Sequence, residues 1–363
     1  MIRSALLLCA AIIVAACFAC MPAPPQPSSP IGGHAPAPTC TAADFAKKIN
    51  YVSTVFSPAP GSAQPVSSSS PPPNSPNYAQ DLETVFVAAS PEFAQQLCDL
   101  DRVYVMTASC SDGDCFSGSW GWLQSSNKVG NGRIVGISAG LWKQSYSQYE
   151  TNLTQSLLPP NFTAVTYSNV VSCTSAGVCT PVDNLTETLM AALAHEIGHI
   201  GWYVLIDPLS TPTSFCNGQF FKPWAKANKP PPDSRGYPFR DFMTYDERQR
   251  LRSTGRWTNL HAQPPHIDQI DNPQPTDPPV YQSIYGLLAP AAPWASIFAA
   301  MSPDEDFVET YKFKVLTTAK APLTSATITV STGATTANVI ADYLAGRKPV
   351  LTTKVGCMPT TLF

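Results

Sequence analysis

A His-Glu-Ile-Gly-His sequence at residues 195–199, inside a long apolar stretch, constrains this chain more than any other feature. In a helix, one turn separates His195 from His199, so both imidazoles project from one face and can bind the same metal ion. Glu196 points into the same cleft, where its carboxylate can accept a proton from a water molecule. The pattern therefore predicts a Zn²⁺ site with the chemistry of a metal-assisted hydrolase.

The neighbouring residues favour a buried helix over an exposed polar helix face. Residues 189–194 are all apolar, and Ile197 and Ile200 continue the apolar pattern through the motif. Ionisable side chains inside a buried helix need a binding partner, and a metal ion is a partner that satisfies several of them at once. We therefore expect the two histidines to lie in the core as ligands.

The remaining ligand has to come from another part of the chain, because a catalytic zinc ion takes three protein ligands and keeps one open position. The metzincin pattern does not supply it, since Leu205 stands where that pattern requires histidine. A second segment, 302–311, begins with Ser-Pro, which is typical of a helix start. It carries Glu305 and Glu309 at the spacing of one helical turn, so both lie on one helix face.

The two motifs together resemble those of gluzincin peptidases, in particular lethal-factor-like and related zinc-binding metallopeptidases with an acidic Glu-Asp-Phe-Ala-Glu-like stretch. This chain has Glu-Asp-Phe-Val-Glu in that place. The resemblance, which covers only these motifs, implies that Glu305 is the third zinc ligand. It implies that Glu309 is a carboxylate behind the ligands or on the substrate side. The alternatives are that Glu305 only caps its helix and that Glu309, His261 or His266 binds the metal.

The same resemblance implies an α+β fold of the zincin kind, with a small upper-lobe sheet, the His-Glu-x-x-His helix and a helical lower lobe. It implies cleavage of a peptide or protein substrate, with Glu196 as general base. Tyr237, Tyr245 and Tyr311 are candidates for stabilising the oxyanion. Two other functions stay open: a zinc hydrolase of cell-wall or glycan substrates, and a non-catalytic zincin-like binding protein.

Local signals predict the secondary structure around the motifs. Asn184 and Glu187 have the spacing of a capping box, which predicts the metal-binding helix over 185–205. Three strands precede that helix, as in the upper lobe of zincins, whose edge strand pairs with an extended peptide. We expect strands at 102–109, 119–124 and 133–138, and further helices at 44–49, 91–100 and 142–157.

The amino terminus has the form of an export signal. Residues 1–16 combine an early arginine with a short apolar run, and the residues before Cys17 resemble a bacterial lipobox. The resemblance implies a lipid on Cys17, or on Cys20 after a poorer cleavage, and so a membrane partner. Because no Asp follows Cys17, the resemblance implies that the protein is located at the outer membrane or the cell surface. A plain secretory signal is the alternative.

The rest of the chain divides by composition. Residues 17–39 are an anchor and Pro-rich tether with almost no charge, which favours extended polyproline-like structure. Residues 40–363 are long enough for one catalytic domain with two lobes. Within it we expect a Pro/Ser-rich loop at 57–77 and an insertion at 207–280 over the cleft. The net charge of −3 and the lack of a basic cluster argue against a nucleic-acid partner.

The cysteines indicate an oxidising compartment. Of eleven cysteines, three lie in the leader and anchor, which leaves an even number, eight, in the folded domain. No Cys-x-x-Cys motif occurs among these eight, so disulfides are favoured over a metal site. Two pairs enclose short turns and the other four cysteines can form two long-range pairs: Cys110–Cys115, Cys173–Cys179, Cys40–Cys98 and Cys216–Cys357.

Overall fold

The structure is a computed structural model that describes residues 37–53, 65–107, 120–123, 133–155, 165–206, 212–220, 285–300, 303–330 and 335–362. Within these ranges, none of the helices combines the length and the apolar character that a membrane span requires. Several predictions lie outside the described residues: the signal at 1–16, the lipid sites Cys17 and Cys20, the pair Cys110–Cys115, the tyrosines Tyr237 and Tyr245, and the alternative ligands His261 and His266.

The first sheet has four strands in the order β1-β2-β4-β3. The strands are β1 (Ile49–Val52), β2 (Arg102–Met106), β3 (Trp120–Leu123) and β4 (Arg133–Ser138). β1, β2 and β4 are parallel, and β3 pairs antiparallel with β4. The central strand β2 is buried from Val103 onward, which suits its continuous apolar sequence.

Three helices precede or connect these strands: α1 (Ala42–Ala46), α2 (Tyr78–Ala88) and α3 (Pro91–Asp99). The predicted helix at 44–49 is wrong in its second half, because α1 ends at Ala46 and Ile49 begins β1. The β-branched Ile49 pairs with Val103 of β2, and this pairing with a distant strand outweighs the local helical pattern. The predicted helix at 91–100 is observed as α3.

A second sheet was not predicted from the sequence. It is antiparallel in the order β6-β5-β7-β8, with β5 (Val165–Cys173), β6 (Cys179–Pro181), β7 (Ser325–Val330) and β8 (Thr335–Ala337). β7 alternates buried and half-buried residues, as expected for a strand with one face on a core. The described residues form a mixed α+β protein, as predicted, with two sheets where the sequence predicted one.

Two long helices cross in the core. They are α5 (Leu185–Leu205) and α6 (Pro303–Thr318). The predicted bounds of α5 are confirmed, and the Asn184 side chain caps it by accepting a hydrogen bond from the amide of Thr186. The predicted helix at 142–157 is observed as a 3₁₀ helix (Ala139–Lys143) followed by the α-helix α4 (Tyr146–Gln155). The remaining elements are two further 3₁₀ helices, at Pro212–Gly218 and Phe298–Ala300, and the α-helices α7 (Val339–Leu344) and α8 (Pro349–Cys357).

Three of the four predicted disulfides lie within the described residues, and all three are confirmed. Cys40–Cys98 ties the segment before α1 to α3, and Cys173–Cys179 closes the turn between β5 and β6. Cys216–Cys357 joins the 3₁₀ helix that follows α5 to the end of α8. Disulfide bonds of this number are compatible with an extracytoplasmic protein.

Candidate metal centre

Helix α5 holds three residues of the centre inside the core. Residues 187–198 of this helix are all buried, because α5 packs against α6 and against strands β3 and β4. His195 and Glu196 are buried, with 6% and 5% of their surface exposed, whereas His199 is only half-buried. The expected buried helix is therefore observed, and His199 is the part of the centre nearest to solvent.

Helix α6 brings a carboxylate to the two histidines. The Oε2 atom of Glu305 lies 3.8 Å from Nε2 of His195 and 3.8 Å from Nε2 of His199. One ligand atom from each of the three residues can be chosen so that all lie within 4.8 Å of one another. Ligand atoms about 2.1 Å from one tetrahedral ion are about 3.4 Å apart, so a small contraction would let these three surround it. The group could hold a metal ion.

Glu309 does not belong to this group but lies directly behind it. Its Oε1 is 2.8 Å from Nδ1 of His195, on the side of the ring away from Glu305. Burial acts to raise the pKa of Glu309, but Lys312 and His195 outweigh it and hold the pKa below its usual value. Glu309 is therefore a carboxylate, which can only accept. His195 must then donate through Nδ1, and its Nε2 lone pair is left for a metal.

Two further groups contact the Glu309 carboxylate and a third lies behind them; sequence reasoning missed all three. The Ser296 hydroxyl donates to its Oε2, and the Lys312 ammonium lies 2.8 Å from its Oε1. Lys312 also lies 2.9 Å from Oε1 of Glu150 on α4. Lys312 had a local signal, because it follows Glu309 by three residues on one helix. No pattern in the sequence connects Glu150 or Ser296 with the centre.

Aromatic residues complete the surroundings of the centre. The Phe298 ring packs edge-on against His195, with ring centroids 5.6 Å apart. Tyr149 is buried, and its pKa is raised well above the usual value by burial, then by Glu150 and Glu309, and after them by Glu196 and Glu305. This tyrosine, missed at the level of sequence, is therefore close enough to feel the charges of the centre.

Tyr311, the only predicted oxyanion candidate within the described residues, lies on another face of α6. Its ring packs against Phe93 of α3, with centroids 6.4 Å apart. Burial and then the charge of Glu92 raise its pKa, and neither cause involves the centre. Residues two positions apart on a helix do not share a face, which explains why Tyr311 diverges from Glu309.

Comparison with protein-family models, with curated proteins and with solved structures gave no match. What the centre does is therefore inferred from its own residues.

Proposed function

We propose that this protein is a zinc metallopeptidase with a gluzincin-type centre, in which His195, His199 and Glu305 bind Zn²⁺ and Glu196 is the general base. One observation carries the proposal: two imidazole nitrogens and one carboxylate oxygen, from two helices, converge within 4.8 Å. Two nitrogens and one oxygen with room for a fourth ligand form a known donor set of catalytic zinc. The Glu309 contact behind His195 adds the carboxylate that zinc-binding histidines commonly have.

The residues of the centre have separate roles in peptide hydrolysis. Bound Zn²⁺ supplies a Lewis acid that polarises the carbonyl of the scissile bond and makes water more acidic. Glu196 takes one proton from the attacking water, whose oxygen forms a bond to the carbonyl carbon. Glu196 then gives that proton to the amine nitrogen as the carbon–nitrogen bond breaks, so it ends the cycle as a carboxylate.

The first sheet supports a peptide as the substrate. Within the described residues, β3 lies at one edge of this sheet, and it packs against α5, as β4 also does. An extended peptide can add to such an edge through main-chain hydrogen bonds, which need no particular side chains. We propose that the substrate lies along β3, with its scissile bond over the metal.

Export is part of the proposal. The disulfides support an oxidising compartment, and the lipobox resemblance supports a lipid on Cys17 of a bacterial lipoprotein. We infer an extracytoplasmic peptidase held at a membrane by this lipid.

The proposal is tested by measuring bound zinc and cleavage of a broad peptide library with the full-length protein. We expect close to one zinc per wild-type chain, loss of zinc in His195→Ala and His199→Ala, and bound zinc without cleavage in Glu196→Gln. Glu187→Gln is a matched control, because Glu187 is a buried glutamate in the first turn of the same helix and should keep zinc and activity. A folded wild type without zinc would overturn the site. Bound zinc without peptide cleavage would favour another hydrolase or a binding protein.

A further inference from the structure

We propose that Lys312, held in place by Glu150, is a positioning residue for the metal centre. It fixes the Glu309 carboxylate so that Oε1 faces His195 and His195 presents Nε2 to the metal. This inference rests on the proposed zinc site and goes beyond it, because it assigns a role to an ion pair that lies behind Glu309.

The contacts form a continuous chain from α4 to the metal ligands. Glu150 lies 2.9 Å from Lys312, Lys312 lies 2.8 Å from Glu309, and Glu309 lies 2.8 Å from His195. The side chains of Glu150, Lys312 and Glu309 are only 3%, 4% and 0% exposed. Because water does not screen charges at such depth, each contact constrains its neighbour strongly.

Charge balance explains why a lysine, Lys312, lies between the Glu150 and Glu309 carboxylates. Without Lys312, the Glu150 and Glu309 carboxylates would be buried near each other with no cation between them, and their repulsion would push them apart. Glu309 would then turn away from Nδ1 of His195, and the imidazole would lose the contact that fixes its orientation. Lys312 neutralises Glu150 and leaves one negative charge, on Glu309, behind the ligand.

Packing alone does not hold Glu309 in this position. A cavity of about 30 Å³ lies beside it, lined in part by Tyr146, Glu150, Tyr167, Ser296, Glu309 and Lys312. A volume of this size can hold a water molecule, so Glu309 is not enclosed by tightly packed side chains on every side. The hydrogen bond from Ser296 constrains one carboxylate oxygen, and Lys312 constrains the other.

A general structural role is the competing explanation, and it predicts a different result. Buried ion pairs often add little net stability compared with apolar residues of similar volume. A pair that only filled the core could thus be removed as a unit with little effect on metal binding. A positioning pair would lower zinc affinity even in a protein that still folds.

The test is the double variant Glu150→Gln/Lys312→Met in the full-length protein, since it removes one negative and one positive charge together. Zinc affinity is measured by competition with a chelator, and unfolding of the metal-free protein by urea. We expect zinc affinity to fall by about 10–100-fold, the usual effect of changing groups behind a metal ligand. Should the double variant not fold, Glu150→Gln alone is measured, and the expected loss is about 10-fold, the lower end of that range.

The matched control is Asp306→Asn/Lys354→Met, which removes another buried ion pair of α6, directed toward α8. We expect its zinc affinity to equal that of the wild type. If the two double variants lose affinity equally, or if Glu150→Gln/Lys312→Met binds zinc like the wild type, the positioning role is overturned while the zinc site stands. A wild type that binds no zinc would instead overturn the proposed function itself.

Discussion

Gly198 and Val308 lie where α5 crosses α6, and a Cβ atom built on Gly198 would be 3.1 Å from the Cα of Val308. The same Cβ would be 3.3 Å from Cγ1 of Val308, so the missing side chain is what allows this approach. Gly198 stands next to His199, and Val308 stands next to Glu309. The glycine therefore sets the distance between the histidines of one helix and the carboxylates of the other.

Replacing Gly198 with alanine is expected to weaken zinc binding. The added methyl group would push α6 outward by a few tenths of an ångström and separate Glu305 from the histidines. Alanine favours the helix over glycine by about 1 kcal/mol, so the loss cannot come from helix propensity. Chelator competition measures the effect. Gly201→Ala is the control, because the three atoms nearest to its Cβ would all belong to the side chain of Leu362. Equal zinc affinity in Gly198→Ala and wild type would contradict this account.

We expect Glu305→Gln and Glu309→Gln to have very different effects on zinc binding. Glu305→Gln should lose zinc, since the amide is a poor ligand, whereas a lost helix cap would cost only about 0.5–2 kcal/mol and leave the metal bound. Glu309→Gln should still purify with zinc, although its zinc affinity and its turnover should each fall by about 10–100-fold. Zinc content and peptide cleavage distinguish them. The opposite pattern would move the ligand to Glu309, and zinc retained in both would point to His261 or His266.

Changing one residue of the buried pair Asp306–Lys354 should lower the free energy of unfolding much more than replacing both residues together. Both side chains are fully buried, and Lys354 also lies 4.7 Å from the centroid of the Trp294 ring. Asp306→Asn leaves the lysine buried with no opposite charge, so we expect a loss of about 3–5 kcal/mol in the free energy of unfolding. Asp306→Asn/Lys354→Met should recover most of this loss. Urea unfolding measures both, and equal losses would show that the charges are not coupled.

The disulfides should contribute unequally to stability. Cys216–Cys357 spans 141 residues and Cys173–Cys179 spans six, so the longer loop restricts the unfolded chain more. Chain entropy assigns about 5 kcal/mol to the first and about 2 kcal/mol to the second. Urea unfolding of the two Cys-to-Ser double variants measures the difference. A larger loss for the short loop would mean that local geometry, and not chain entropy, dominates.

Cys17→Ser should abolish labelling with radioactive fatty acid and release the protein from the membrane fraction. By the lipobox resemblance, only the Cys17 thiol becomes the modified amino terminus. Labelling that persists in the variant, and disappears only in Cys20→Ser, would move the cleavage site to Cys20. A wild type without label would leave the plain secretory signal as the explanation.

Features that depend on neighbours along the chain could be predicted. The bounds of α5 follow from its cap and its apolar run, and the Cys173–Cys179 loop follows from the short spacing of its cysteines. The even number of cysteines allowed the pairs Cys40–Cys98 and Cys216–Cys357, which only the tertiary structure established. The second sheet could not be predicted, because β5 and β7 pair residues as far apart as Val165 and Val330. Strand pairing at such a distance leaves no local pattern, and the same reason explains the error at Ile49.

At the metal centre, the sequence by itself determined that His195, Glu196 and His199 share one helix, because helical periodicity acts within a single element. Only the tertiary structure decided that Glu305 meets both Nε2 atoms while Glu309 turns to Nδ1 of His195. That choice depends on how closely α6 crosses α5. The burial of Glu150 with Lys312 could likewise not be predicted from the sequence. Charges far apart in the sequence are desolvated together only after the helices have packed.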